Sequence, residues 1–217
     1  SASLKRQFER GSGAKLVEGY GLTEAAGVVA TNPFDGREGP GSIGHPLPGT
    51  DLRLLDKEDP QRDAAPDEPG ELAVSGPQVM LGYWNRPEAA AEAFVERDGT
   101  RWLRTGDIAT IDEDGYVCIV DRAKDMIAVS GFKVFPSQIE QVLLDHPDVK
   151  EAIVLGAPDD YHGEIPRAYV VLQPATVAEA DEIADWLNAR IGKHDLLNTR
   201  ATIRKSLIDE IRQIDFT

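Results

Sequence analysis

In "GYGLTEAAG", residues Gly19 to Gly27, a hydroxyl and a carboxylate stand side by side at Thr23 and Glu24, with small residues around them. In a glycine-rich turn, a threonine hydroxyl and nearby backbone N–H groups can donate to a phosphate oxygen. An adjacent carboxylate can hold Mg²⁺ on that phosphate. The same pair also suits a helix cap or a surface turn, so taken alone it leaves both readings open. "WLRTGD" ends on Asp107 after a strand-like run. An acid there can bind vicinal hydroxyls, as acids do with ribose; a solvated turn aspartate is the plainer alternative. "VDRAKD" packs four charges between two strand-like runs. It reads either as a polar linker between domains or as an ordinary charged loop. In "SGFKVFP", Gly131 lets a narrow ligand run against the backbone because it has no Cβ; a hairpin turn explains the same glycine.

Other chemistries lack their residues. His45, His146, His162 and His194 are scattered and show no metal-ligand spacing. Neither a Gly-x-Ser-x-Gly elbow nor a Walker-type Gly-Lys-Ser/Thr run occurs. The net charge is −15 and is spread over both halves, which argues against nucleic-acid binding and for a solvated surface. Cys118 is the one cysteine, so no disulfide can form within the chain, and a reducing, cytoplasmic compartment is expected. It lies in the apolar run "YVCIVD" and reads as a buried structural thiol. No run approaches the roughly 20 apolar residues of a membrane span. The opening "SASLKRQFER" lacks the apolar segment of a signal peptide. What remains is phosphate and ribose handling.

The elements that must hold these residues are legible in part. At 217 residues and 41% hydrophobic content the chain can build one or two real cores. Leu4 to Arg10 reads as the end of a helix stopped by Gly11 and Gly13. "AKLVEGYG" reads as a short buried strand entering the glycine turn. The stretch "NPFDGREGPGSIGHPLPGT" is dense in Gly and Pro and is expected to be mostly turn and loop. "DLRLLD", "GELAVSG", "WLRTGDIATID" and "YVCIVD" follow as short, evenly spaced strands, which suggests a small antiparallel barrel or sandwich. A helix from Pro87 to Phe94 interrupts them. Beyond "VDRAKD" the pattern becomes α+β. "MIAVSGFKVF" is a hairpin, and "PSQIEQVLLDH" is a helix with Ile139, Val142 and Leu143 on one face. "VKEAIVLGAP" and "IPRAYVVLQP" are strands, and "VAEADEIADWLNARIG" is an amphipathic helix closed by Gly192. The end, "KHDLLNTRATIRKSLIDEIRQ", reads as helix to helix, with no third sheet strand visible.

Taken in order, "YGLTE", "GELAVSGPQVMLGYWNRP", "WLRTGD" and "DGYVCIVDRAKDMIAVSGFKVFPSQIE" resemble the adenylate-forming superfamily, specifically its acyl-CoA synthetases. The resemblance covers nearly the whole chain. It implies an α+β fold in three parts: 1–35, the end of an α/β subdomain; 36–120, a small antiparallel β-barrel subdomain; and 121–217, a mobile α+β C-terminal domain. The reaction it implies is attack of an acid on ATP to give an acyl-adenylate and pyrophosphate, then transfer of the acyl group to CoA. ATP, Mg²⁺ and CoA are thus the implied small molecules, and a medium- or long-chain fatty acid is the implied substrate, since "MIAVSGFKVFPSQIE" looks like the fatty-acyl-CoA synthetases. By the same resemblance Gly19, Tyr20 and Gly21 line the adenine and acyl-carbonyl region. Thr23 bonds phosphate, Glu24 ligates Mg²⁺, Asp107 binds ribose and Arg122 lies beside it. Lys124 takes the hinge position. Ser130, Gly131 and Phe132 meet the pantetheine arm, and Lys133 contacts CoA. A homodimer and peripheral membrane association of a longer enzyme stay open.

Two departures qualify the match. The family's Ser/Thr/Gly-rich phosphate loop and most of its large N-terminal domain are not in this sequence, so a C-terminal portion is expected, inactive in ATP–pyrophosphate exchange on its own. The family's final strand and Thr-x-x-Gly-Lys-like loop are also not recognisable in "NTRATIRKSL". Lys205 aligns better with basic residues beyond that loop, so about twenty residues are expected to be missing between Gly192 and Arg204, by analogy with the family. Two other readings remain: an adenylation domain that loads a carrier protein, and a nucleotide- or CoA-binding fragment without turnover.

Overall fold

The computed structural model describes residues 2–35, 41–174, 176–191 and 200–203. Contacts divide the chain into two compact units, Ser1–Ala123 and Lys124–Thr217. The first begins with α1 (Ala2–Ser12), which runs through Gly11. Gly13 ends it: at φ 70° its N–H reaches back to the Glu9 carbonyl at 2.9 Å, the left-handed turn that closes helices.

Strands β1 (Gly19–Leu22) and β2 (Gly27–Thr31) follow, joined by a tight 3₁₀ turn at Thr23–Ala25. Next come β3 (Ser42–Pro46), β4 (Asp51–Leu55), β5 (Gly70–Ser75), α2 (Pro87–Ala93), β6 (Phe94–Arg97), β7 (Thr100–Ile111) and β8 (Val117–Arg122). They form one sheet in the order β1-β2-β3-β8-β7-β5-β4, with β6 on β7, and every pairing is antiparallel. The small antiparallel barrel expected over 36–120 is an antiparallel sheet that does not close. Among the described residues the end strands β1 and β4 do not pair. The outer edge of β4 is met instead by the loop after it: Ala64 N donates to Leu54 O at 2.9 Å, and Leu55 bridges Asp63. An edge capped by its own loop has no need of a closing strand.

β3 lies inside the stretch expected to be loop. It carries Gly44 at φ 80° and breaks register against β8 there, so its local signal is that of a turn while its partners make it a strand. β5, between β7 and the edge strand β4, is buried from Gly70 to Val74, including one acid, Glu71. Cys118 is half-buried on β8 rather than enclosed.

The second unit holds β9 (Ile127–Val129), β10 (Phe132–Val134), α3 (Pro136–Leu144), β11 (Val149–Asp159), β12 (Gly163–Leu172), α4 (Ala180–Asn188) and β13 (Arg200–Ile203). The sheet order is β10-β9-β12-β11, with β13 also on β12. Ile139 and Leu143 of α3 and Ile183 and Leu187 of α4, each pair one turn apart, are buried in one core with Val154 and Val170. β13 is the third strand that the sequence did not reveal. It pairs parallel with β12 after the α4 crossover, the connection that parallel strands require. The expected omission after Gly192, and Lys205, lie outside the described residues, β13 apart. No helix among the described residues is long and apolar enough to cross a membrane.

Candidate functional site

The β1–β2 hairpin positions Thr23 and Glu24 by close approach of two backbones. A Cβ on Gly21 would lie 1.9 Å from the Gly27 carbonyl oxygen, so only glycine fits there. The chain then turns through Thr23–Ala25 and leaves by Ala26, in the left-handed region at φ 51°. Met80 N donates to the Glu24 carbonyl at 2.7 Å and ties the turn to the loop after β5. The Glu24 carboxylate accepts a 2.8 Å hydrogen bond from the Tyr83 hydroxyl. That bond, and then burial, raise the Tyr83 phenol above its ordinary value. No side-chain cap bond forms at this turn, so the helix-cap alternative does not describe the pair.

Asp107 is positioned by an irregularity in β7. Ile108 pairs with Glu71 and Arg104 with Ala73, so three residues of β7 oppose the single Leu72 of β5. Thr105, Gly106 and Asp107 therefore bulge, with Gly106 at φ 72°. Asp107 is only 6% exposed, yet both its oxygens are engaged. Oδ2 accepts from the Tyr20 hydroxyl at 2.5 Å, and Oδ1 faces Arg122 Nε at 2.8 Å. Arg122 is the cross-strand partner of Asp107 on β8. Burial, and next the bond to Asp107, push the Tyr20 phenol well above its ordinary value, against opposing pulls from the Thr105 hydroxyl and then Arg122.

These groups line one cleft of about 380 Å³, formed by Tyr20, Gly21, Leu22, Thr23, Glu24, Tyr83, Arg104, Thr105, Asp107 and Arg122. Six residues picked out in the sequence thus come together: Tyr20, Gly21, Thr23, Glu24, Asp107 and Arg122. Gly19 is on β1 but does not line the cleft. Tyr83, Arg104 and Thr105 were not singled out. Arg104 and Thr105 were within reach, since they immediately precede the Gly-Asp pair. Tyr83 carried no local signal, because its contact is with a residue 59 positions away.

The remaining candidates belong to the second unit. Lys124 is exposed in a 3₁₀ turn, Ala123–Asp125, at the boundary between the two units. Ser130 and Gly131 make the β9–β10 turn at φ 49° and 85°, the two left-handed positions of a tight hairpin. The Ser130 N–H donates to the His162 carbonyl at 2.8 Å, and Ser130 Oγ lies 2.8 Å from His162 Nδ1. Phe132 and Lys133 follow on β10, both exposed.

A carboxylate oxygen with one partner keeps a further lone pair, so Asp107 can still accept from two ligand hydroxyls. The Arg104 and Arg122 side chains bring positive charge to a ligand bearing anionic groups. Glu24 offers a single carboxylate, and no group of three His, Cys, Asp or Glu that could hold a metal lies among the described residues. That donor set suits a cation that arrives on phosphates and keeps its waters, as Mg²⁺ does.

Both parts of the chain match known families. A family described as "AMP-binding enzyme" matches residues 1–84, and "AMP-binding enzyme C-terminal domain" matches residues 138–209. A protein named long-chain-fatty-acid–CoA ligase from Bacillus subtilis (strain 168) is 44% identical over 191 residues, 88% of this chain and 33% of its own length. Feruloyl-CoA synthase from Amycolatopsis sp. is also 44% identical, over 180 residues, 82% of this chain and 35% of its own. The crystal structure of ATP-bound MatB from Rhodopseudomonas palustris superposes with a TM-score of 0.83 at 32% identity, covering 94% of this chain and 40% of that one. The chain therefore spans about a third of the length of the curated relatives it matches.

Proposed function

Because the chain belongs to the AMP-binding enzyme family, we propose that it supplies part of the nucleotide site, and the mobile domain, of an AMP-forming acid–thiol ligase. That enzyme activates a carboxylic acid as its acyl-adenylate and passes the acyl group to CoA. The observation that carries this reading is Asp107, bonded to Tyr20 and Arg122, in the same cleft as Thr23 and Glu24.

Asp107 holds the ribose hydroxyls, with the Tyr20 phenol and the Arg122 guanidinium fixing its carboxylate. Tyr20 and Gly21 form the wall against the adenine and the acyl carbonyl, with Gly19 beside them on β1. The Thr23 hydroxyl donates to phosphate, and Glu24 holds the Mg²⁺ that arrives with it. When bound, that ion offsets negative charge on the phosphate oxygens. Arg104 adds charge that favours the anionic transition state of adenylation. Lys124 serves as the hinge. Ser130, Gly131, Phe132 and Lys133 meet the pantetheine arm and the phosphates of CoA. Closure over the adenylate would keep out the water that hydrolyses it.

A medium- or long-chain fatty acid is the proposed acid, on the strength of the ligase relatives. The test uses the full product of the gene. Acid-dependent exchange of pyrophosphate into ATP is expected, and Glu24→Ala should lower it by about 100-fold or more. Exchange unchanged by that substitution removes Glu24 from the metal site. Acyl-CoA formation from a fatty-acid series against hydroxycinnamic acids decides the substrate, since one relative is named for feruloyl-CoA. Transfer to a phosphopantetheinyl carrier in place of free CoA would establish the carrier-loading alternative.

A further inference from the structure

Glu71, the second residue of the most buried strand of the first sheet, is an acid only 5% exposed, on an element otherwise made of apolar and small residues. A buried carboxylate is costly unless its oxygens are used. The two oxygens divide their work. Oε2 takes two donors from Arg104, Nε at 3.0 Å and Nη2 at 2.7 Å. Oε1 accepts the backbone N–H of Gly106 at 3.3 Å. Arg104 and Gly106 are the residue just before the β7 bulge and the residue at its centre.

The neighbouring bonds complete a clamp. The Thr105 hydroxyl donates to the Leu72 carbonyl at 2.8 Å and accepts the Asp107 N–H at 3.1 Å. Thus Arg104, Thr105 and Gly106 are each tied to Glu71 or Leu72, and Asp107 is tied to Thr105. A bulge leaves residues without ladder partners, and here those groups are taken up by one side chain and one carbonyl of the facing strand. A Cβ at Gly106 would meet nothing within 4 Å, so the glycine supplies its left-handed φ and not room. The bulge is what turns Asp107 into the cleft. Arg104, held by the same carboxylate, lines that cleft too.

We propose that Glu71 is a positioning residue for nucleotide binding: from β5 it fixes both the bulge that presents Asp107 and the Arg104 guanidinium. It touches no ligand itself. The idea rests on the proposed ribose role of Asp107, so the test carries one readout that depends on that role and one that does not.

The first readout is discrimination between ATP and its 2′- and 3′-deoxy analogues, as kcat/KM in pyrophosphate exchange by the full gene product. Removing a hydroxyl that Asp107 binds should cost the parent enzyme roughly ten-fold or more. In Glu71→Ala the analogues and ATP should converge to within about three-fold. Glu71→Gln, which keeps an acceptor for Gly106, should retain part of the discrimination. A variant that is merely less well folded would lose activity on all three nucleotides alike and keep the ratio. The second readout is amide hydrogen exchange at Gly106 and Asp107 in the absence of nucleotide. In Glu71→Ala their protection should fall by roughly ten-fold, while Leu103, paired with Val74 beyond the bulge, stays protected.

Equal discrimination in parent and Glu71→Ala overturns the proposal. If the parent itself does not distinguish the analogues, the ribose reading of Asp107 fails, and exchange decides alone. Unchanged protection at Gly106 and Asp107 then sinks the positioning role, and selective loss upholds it.

Discussion

Tyr20 shows how a side chain takes its chemistry from its partners. Its phenol is held protonated by burial and by the Asp107 carboxylate, so the folded chain binds that proton more tightly than the unfolded chain does. A group raised in this way gives stability that is complete below the ordinary tyrosine range, near pH ~10, and that is lost as pH rises towards the folded value. Urea midpoints measured from about pH 8 to about pH 11 should therefore fall for the parent. Tyr20→Phe should show a shallower fall, and should be less stable by about 1 kcal/mol near neutrality through loss of one hydrogen bond. Identical slopes for the two proteins would show that the phenol is not held in this way. Much of this site was legible because Thr23, Glu24 and Asp107 are polar groups beside glycine, where function leaves a local mark. Glu71 was not, because "GELAVS" reads as an ordinary strand and the acid's purpose lies 33 residues away at Arg104.

At the scale of elements, legibility followed periodicity. Helices α3 and α4 announced themselves through apolar residues one turn apart, and β4, β5, β7 and β8 through short apolar runs between turns. β3 and β13 did not, since a strand with glycine and proline, or of four residues, is specified by its neighbours and not by its own sequence. Open versus closed sheet was equally out of reach, because it turns on a loop pairing with the edge of β4. The β1–β2 hairpin provides the test at this scale. Gly21→Ala forces a methyl group into the Gly27 carbonyl, so the strands must part or slip. Denaturant unfolding should record a loss of about 1–3 kcal/mol, with nucleotide affinity weakened as well because Thr23 and Glu24 move with the strand. A variant as stable as the parent would mean that the hairpin relaxes at no cost.

For the whole molecule, the boundary between Ala123 and Lys124 is where the two half-reactions should come apart. Proline at Lys124 fixes φ and removes an N–H at the proposed hinge. In the full gene product, Lys124→Pro should spare pyrophosphate exchange more than thioester formation, by roughly ten-fold or more if the second step needs the rearrangement. An equal loss in both would assign Lys124 a general structural part. The Tyr20–Asp107 bond has a consequence of another kind. It joins residues 87 positions apart, so it cannot form until most of the first unit has been gathered. Contacts of such long range are slow, since loop closure comes before any gain from the contact. During refolding from urea, far-ultraviolet dichroism should therefore recover first and nucleotide binding afterwards. A newly made chain would spend that interval already carrying its strands but not yet able to hold its ligand.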